Sequence, residues 1–516
     1  MPHTITLQSG ESFDFDISAS NPFLVFPWFQ KLAIESVGRD NILDISRGDP
    51  GYGFSPSARS RRFFSYLVFL DSQLNNQHQR LVDMKPEETD QVMSFITDVT
   101  MAHYSDKMAI SLLADWREYL EKFTDIAKEQ GLDASEWAIL LHTFGYSNCS
   151  GGNYHNPWGE PHTRAVLASW HSQVLGTKVH YDDLMVTHGA SHAIGAVYEG
   201  LGEEGIGYLK SGDKVVLFSP CYFPYVNLNQ SRGLETVMIR LDPFTGEINQ
   251  NDVQKAMKEP IKLIVVVDPN NPTGHSLTDK LLDQVAELAE QTNALIVTDE
   301  VYQSFLQGKQ SLSVHPSAAK RTIRIDSLSK IERSTGLRFG DLFITQAGEE
   351  FITQSILGDL LSEGDTIRTL LYRSKSPGGG QIGAFQHTTT MPGPCQFMGI
   401  SHILLASEER EEYVNTLKKN MEVFHHTLGI PYHGNIYYSL IDLQQIPGWN
   451  KDTLSPEQAF IELAKRGVVL IPANLFFFVQ DRAEASRQYI ARVSLANLNT
   501  EKCQKAAEVI REWCSA

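Results

Sequence analysis

The sequence predicts an α/β fold built on a mostly parallel sheet, and two observations carry that prediction. From about residue 165 onward, short and almost wholly apolar runs alternate with helical stretches, the pattern of strands covered on both faces. Each run also ends in polar residues, where strands of such a sheet present their carboxyl ends to a ligand. The runs are DKVVLFSP (213–220), IKLIVVVDPN (261–270), ALIVTDEVY (294–302) and TIRIDSLSK (322–330), and Leu277–Glu290 is one of the helical stretches between them.

The flanking regions read differently. From Thr89, the expected N-cap, to about Gln130 the spacing is helical. Val92, Phe95, Ile96 and Val99 mark one face, and Leu112, Trp116, Tyr119, Leu120 and Phe123 another. Near the end, YYSLIDL (437–443) and YIARVSLANL (489–498) read as strands, with helices at Pro456–Arg466 and Glu501–Trp513. The stretches SKSPGGGQIG (374–383) and HTTTMPGP (387–394) read as loops. The expected organisation has four parts. Residues 1–50 open a small domain, 51–149 form a helical insertion, 150–400 form the large α/β domain, and 401–516 complete the small α+β domain.

A chain of 516 residues with 42% hydrophobic content can bury a sizeable core and is too long for one compact unit. Its formal charge of −18 repels nucleic acid and anionic lipid. An anionic substrate would need a local basic pocket. No run approaches the ~18 apolar residues that a membrane span requires, and the acidic first residues do not read as a signal peptide. Cys149, Cys221, Cys395, Cys503 and Cys514 are scattered, odd in number and without a C-x-x-C pair. That suits a reducing compartment and offers no structural metal site. The expectation is a soluble cytoplasmic protein without nucleic-acid, membrane or metal partners.

The polar strand ends carry the chemistry. SLSKIERSTGLRFG (327–340) sets Lys330 just past a strand, between the Ser327 hydroxyl and Arg338. TDEVY (298–302) sets Asp299 at a strand end, with Tyr302 three residues on, and DPNNPTG (268–274) sets Asn271 in a turn shaped by Pro272 and Gly274. THGASHA (187–193) offers the N–H groups of Ala190 and Ser191 and the Ser191 hydroxyl at a helix start, with His192 read as structural. SPCYFPY (219–225) offers the Tyr222 ring. Pyridoxal 5′-phosphate demands this set. It needs an amine for its aldehyde, an acid for its ring nitrogen and a hydroxyl or amide for its phenolate oxygen. Its phosphate needs N–H groups, hydroxyls and an arginine.

Together these motifs resemble the class I/II aminotransferase family, over about residues 150–500. The resemblance implies the fold-type-I transferase architecture of pyridoxal-phosphate enzymes, with Lys330 as the imine lysine and general base. It implies Asp299 as the ring-nitrogen partner, Tyr302 and Asn271 as phenolate contacts, and Tyr222 as the stacking ring. Ser191, Ser327 and Arg338 become the phosphate ligands, beside the Ala190 N–H. Arg492 in YIARVSLANL matches the family's substrate α-carboxylate clamp, and Gly48 in SRGDPGY (46–52) its substrate-binding turn. NYHNPWGEPHTR (153–164) is similar to a segment whose tyrosine, here Tyr154, reaches the phosphate of a neighbouring subunit, which implies a homodimer or larger homo-oligomer.

The aspartate 4-decarboxylase branch has a long insertion where residues 51–149 stand. It is also similar in R-G-D-P, HTTTMPGPCQ (387–396) and RVSLANL (492–498). DPNNPTG and IERST (331–335) depart from that branch, and Glu332 sets an acid near the site. A dicarboxylic substrate would need a second cation, from Arg47, Arg368 or Arg373. The expected function is an aminotransferase, an aspartate 4-decarboxylase-like lyase, or both. The second reading is a specialised lyase, cyclase or oxidase on another amino acid. The third is a non-catalytic regulator, which an acidic chain without a basic helix-turn-helix segment disfavours.

Overall fold

The computed structural model describes residues 3–16, 22–50, 53–77, 83–145, 155–203, 205–306, 308–361, 364–371, 374–375, 381–382, 391–477 and 488–516. The chain divides into two compact units. The first comprises Met1–Phe54, Lys210–Phe305 and Glu412–Ala516; the second comprises Ser55–Leu209 and Leu306–Glu411.

In the first unit four strands run parallel, in the order Leu295–Asp299, Ile261–Val267, Lys214–Ser219, Glu235–Arg240. The helix Asp279–Thr292 shows how the sequence dictates an element here. Thr278 caps it by accepting the Leu281 N–H, and Leu281, Leu282, Val285, Ala286, Leu288 and Ala289 bury one stripe. Asn293 ends it in the left-handed conformation at φ 52°. The same unit holds an antiparallel sheet of Tyr438–Asp442, Ile490–Ser494 and Ile471–Pro472. Its helices Pro456–Lys465 and Thr500–Ser515 are capped by Ser455 and Asn499.

The second unit pairs Gly340–Phe343 antiparallel with both Leu184–Thr187 and Thr322–Ser327. Its strand Thr322–Ser327 is buried along its whole length although it carries Arg324 and Asp326. The charges are satisfied locally. Arg324 Nη2 donates to Asp326 at 2.7 Å, and His171 bridges Arg324 at 2.9 Å and Asp341 at 3.0 Å.

Between Ala58 and Leu140 the elements are helices: Ala58–Gln77, Thr89–His103, Asp106–Glu129 and Glu136–Leu140, with a short 3-10 turn at Pro86–Glu88. Phe63, Tyr66, Trp116, Tyr119 and Phe123 are packed with Phe397 and Ile400 in one buried cluster. The helical spacing expected from Thr89 to about Gln130 is realised as two helices that break at Tyr104 and Ser105, and Glu88, not Thr89, occupies the cap position. Within SKSPGGGQIG, Ser374–Lys375 and Gln381–Ile382 pair antiparallel where a loop was expected. Of HTTTMPGP, residues 387–390 lie outside the described residues, and Gly393 already opens the helix Gly393–Leu405.

Candidate active site

Parallel pairing brings two of the predicted strand ends together in the first unit. Val267 lies opposite Asp299, and the Asp268 N–H donates to the Asp299 carbonyl at 3.0 Å. Asp299 is buried, and its Oδ2 accepts a hydrogen bond from the Tyr225 hydroxyl at 2.9 Å. Tyr225 reaches it from the first turn of the helix Pro224–Ser231, which follows the strand Lys214–Ser219. Tyr222 is half-buried, its ring edge-on to Tyr225 with centroids 6.2 Å apart.

The turn that holds Asn271 is built by its neighbour. Asn270 Oδ1 accepts the Thr273 N–H at 3.2 Å, and Asn270 Nδ2 donates to the Pro220 carbonyl at 3.3 Å. Gly274 has φ 71°, and a Cβ there would sit 1.9 Å from the Tyr438 carbonyl oxygen, so only glycine closes this turn. The Asn271 side-chain oxygen accepts from Arg492 Nη1 at 3.1 Å, and Arg492 Nη2 donates to the Ser46 carbonyl at 2.6 Å. The buried Arg492 guanidinium lies between two rings, 4.6 Å from the centroids of both Tyr438 and Phe476.

Tyr302 is buried and donates to the Tyr438 hydroxyl at 3.1 Å. Burial, then Tyr438, Asp299 and Tyr222 nearby, hold its phenol well above the usual range. At Gly48 a Cβ would lie 2.0 Å from the Tyr438 hydroxyl, and the Gly48 carbonyl accepts from Tyr437 at 3.0 Å. Consecutive strand residues normally face opposite ways. Tyr437, at φ 65°, turns the backbone so that both tyrosines reach this one turn. Arg47 is held by Asp44 at 3.1 Å and by Gln30 at 2.7 Å.

In the second unit Lys330 is half-buried on the short helical turn Leu328–Ile331, directly after its strand. Ser327 caps that turn. Its hydroxyl donates to the Phe339 carbonyl at 2.8 Å and lies 2.8 Å from the Ser329 hydroxyl. Ala190 and Ser191 open the helix Ala190–Leu201, where the first N–H groups lack helical partners, and the Ser191 side chain is exposed. The Arg338 guanidinium presses on that helix start: a Cβ at Gly189 would lie 2.7 Å from Nη2. His192 Nδ1 accepts the His188 N–H at 3.1 Å.

One expectation needs correction. Arg368 is buried with Nε 3.0 Å from Glu349 and Nη2 donating to the Ile344 carbonyl at 3.2 Å, so its charge is committed to structure. Glu332 is buried against Arg410, which stacks over Trp170 at 4.5 Å. Its carboxyl is pushed up by burial and is internally paired. Tyr154 and Arg373 lie outside the described residues. Sequence reasoning passed over Tyr225, Tyr438 and Ser329. Only Ser329 carried a signal, as the second hydroxyl of S-L-S-K.

Comparison with known proteins agrees with this chemistry. The model of the family described as aminotransferase class I and II matches residues 147–510. A bifunctional aspartate aminotransferase and L-aspartate beta-decarboxylase of Pseudomonas sp is 28% identical over 354 residues, covering 61% of this chain and 64% of that protein. An aspartate aminotransferase of Sulfolobus acidocaldarius is 28% identical over 192 residues, covering 36% of this chain and 46% of its own length. The chain thus spans about half to two thirds of the length of these curated relatives. The structure of N-succinyldiaminopimelate aminotransferase from Mycobacterium tuberculosis superimposes with a TM-score of 0.60 at 17% identity, over 97% of this chain and all of that one, and so shares its fold. The chain therefore belongs to the class I and II aminotransferase family, whose members work with pyridoxal 5′-phosphate.

Proposed function

We propose that this chain is a pyridoxal-phosphate-dependent aminotransferase acting on an acidic or related amino acid, with Lys330 as its cofactor lysine. One observation supports this reading above the others. Buried in the same unit, Asp299 is tied through the Asp268 N–H to the start of the turn that holds Asn271, and Asn271 accepts a hydrogen bond from Arg492. A ring-nitrogen acid thereby stands on the strand end next to the turn whose asparagine meets the carboxylate clamp.

The residues present fit the cofactor. The Gly189–Ser191 helix start, with Arg338 against it, has the donor chemistry of a phosphate cradle, and a side chain at Gly189 would fill it. When bound, pyridoxal phosphate supplies an electron sink for the substrate's α-carbon. Asp299, steadied by Tyr225, holds a proton at the ring nitrogen. The Asn271 amide donates to the ring oxygen, the Tyr302 hydroxyl stands beside it, and Tyr222 covers the ring face. Ala190, Ser191, Ser327 and Arg338 bind the phosphate. Arg492 grips the α-carboxylate beside the Gly48 turn and so orients the Cα–H bond. The Lys330 amine removes the Cα proton and returns it during turnover. Arg47 remains the proposed contact for a second carboxylate.

β-Decarboxylation of aspartate is the second reading. It is favoured by the 354 residues aligned with the bifunctional Pseudomonas protein. We further propose a cytoplasmic homodimer in which Tyr154 completes the neighbouring site, with residues 51–149 as a helical insertion in a fold of large and small domains. Among the described residues Cys221, Cys395, Cys503 and Cys514 are free thiols, and no helix is long and apolar enough to cross a membrane.

Purified protein incubated with L-aspartate and 2-oxoglutarate should form a keto acid and show a visible cofactor band that borohydride removes. Lys330→Ala should lose both. Alanine and CO₂ from aspartate alone would select decarboxylation. No visible band, and no turnover of any amino acid in a full panel, would end the proposal.

A further inference from the structure

We infer that Tyr438 is a positioning residue, presenting Arg492 to the substrate carboxylate with its ring and orienting Tyr302 with its hydroxyl. The inference rests on the reading of Arg492 as the carboxylate clamp. Tyr438 opens the strand Tyr438–Asp442 and lies opposite Ser494, two residues along the partner strand from Arg492. Residues two apart share a face, so Tyr438 and Arg492 are diagonal neighbours. Tyr438 is 2% exposed and its ring centroid lies 4.6 Å from the guanidinium, which is the same distance from the Phe476 ring. Two aromatic contacts attract the planar guanidinium and oppose its moving away from them. Each Nη carries two hydrogens. One from each is used on Asn271 and Ser46, which leaves one on each for a ligand carboxylate.

The hydroxyl end does a different task. It accepts the Tyr302 proton at 3.1 Å, and so sets where that phenol points. It can stand there because residue 48 has no side chain, since a Cβ would come within 2.0 Å. With the hydroxyl removed, the next ring atom lies 3.1 Å from that Cβ, a distance that small shifts absorb. Gly48 thus sets the position of the Tyr438 ring, and through it that of Arg492.

This steric relation gives a test that a merely structural residue would not pass. In the full-length holoenzyme, with L-aspartate and 2-oxoglutarate, Gly48→Ala should raise KM for aspartate on the order of tenfold, with kcat falling much less. Adding Tyr438→Phe to that variant removes the clash, so the double variant should recover the KM of Tyr438→Phe alone. Tyr438→Phe by itself should shift the pH at which the visible cofactor band titrates, because Tyr302 loses its acceptor. Tyr438→Leu should raise KM as Gly48→Ala does, in protein whose melting shows it folded. A double variant no better than Gly48→Ala would overturn the inference, as would folded Tyr438→Leu with unchanged KM. Arg492→Lys separates the two levels. If it raises KM while the Tyr438 and Gly48 variants do not, only the role of Tyr438 falls. If it leaves KM unchanged, the clamp reading falls and takes this inference with it.

Discussion

Replacing Tyr225 with phenylalanine removes one hydroxyl from the surroundings of Asp299 and leaves the ring in place. The bond removed is 2.9 Å long, and both side chains are buried. A hydrogen bond to a charged group is worth about 1.5–3 kcal/mol, and 1.36 kcal/mol is a tenfold change in rate. Full loss would therefore cost roughly ten- to a hundredfold. Asp299 has further interactions, so the lower end applies, and kcat should fall on the order of tenfold. KM should stay within about threefold, because the Arg492 contacts do not involve Tyr225. Steady-state kinetics and a titration of pyridoxal phosphate into apoprotein check this, the second because a less stabilised carboxylate holds the ring more weakly. A double variant with Asp299→Asn supplies the control. If Tyr225 acts through Asp299, its effect should nearly vanish in that background. A Tyr225→Phe enzyme with unchanged kcat and cofactor affinity would refute the reasoning, as would full additivity with Asp299→Asn.

Other perturbations test the scaffold. Arg410→Met strands the buried Glu332 carboxylate and should destabilise the protein by about 3–5 kcal/mol. Adding Glu332→Gln should recover most of that in denaturant titrations, and a double variant as unstable as the single would refute the pairing. Burial holds His142 and His402 down to about 3. The unfolded chain takes up those protons near the ordinary histidine value and the folded chain does not. Their contribution is thus complete above about pH 6.5 and is lost as pH falls toward 3, by roughly 2 kcal/mol for each histidine at pH 5. Urea midpoints at pH 7 and pH 5 measure this, and His402→Asn should flatten the dependence. Trp116, 1% exposed and stacked on Tyr119 with centroids 5.8 Å apart, should cost about 3–5 kcal/mol when cut to alanine, read as a lower melting temperature.

The legible parts of the fold were those fixed by short-range pattern. Asp268–Asn271 and Asp299–Tyr302 could be found because an apolar run has to stop where a buried strand meets its ligand end. The helix after Thr278 could be found because its cap and its buried stripe lie within fourteen residues of each other. The break at Ser105 was also written locally, as a capping residue followed by an acid, and was hidden by helical spacing on both sides of it. The antiparallel pairing of Gly340–Phe343 carried no such signal. A fully buried strand has the same composition whichever way its neighbours run.

What could not be read was dependence between distant segments. Tyr225 and Asp299 are 74 residues apart, Glu332 and Arg410 are 78 apart, and Tyr302 and Tyr438 are 136 apart. Neither Tyr225 nor Tyr438 sits in a pattern that marks it. The consequence is sharpest at Asn271 and Arg492, which the sequence presents as two independent contacts, one for the cofactor's ring oxygen and one for the substrate's carboxylate. In the structure the arginine donates to the oxygen of the asparagine carboxamide. A carboxamide accepts at one end and donates at the other. By occupying the accepting end, Arg492 leaves the amide's N–H groups as the end that, on the proposed reading, is offered to the ring oxygen. On the proposed reading, any substitution that moves Arg492 would therefore also disturb a cofactor contact, and a substrate that draws the guanidinium toward its carboxylate would act on both through one hydrogen bond.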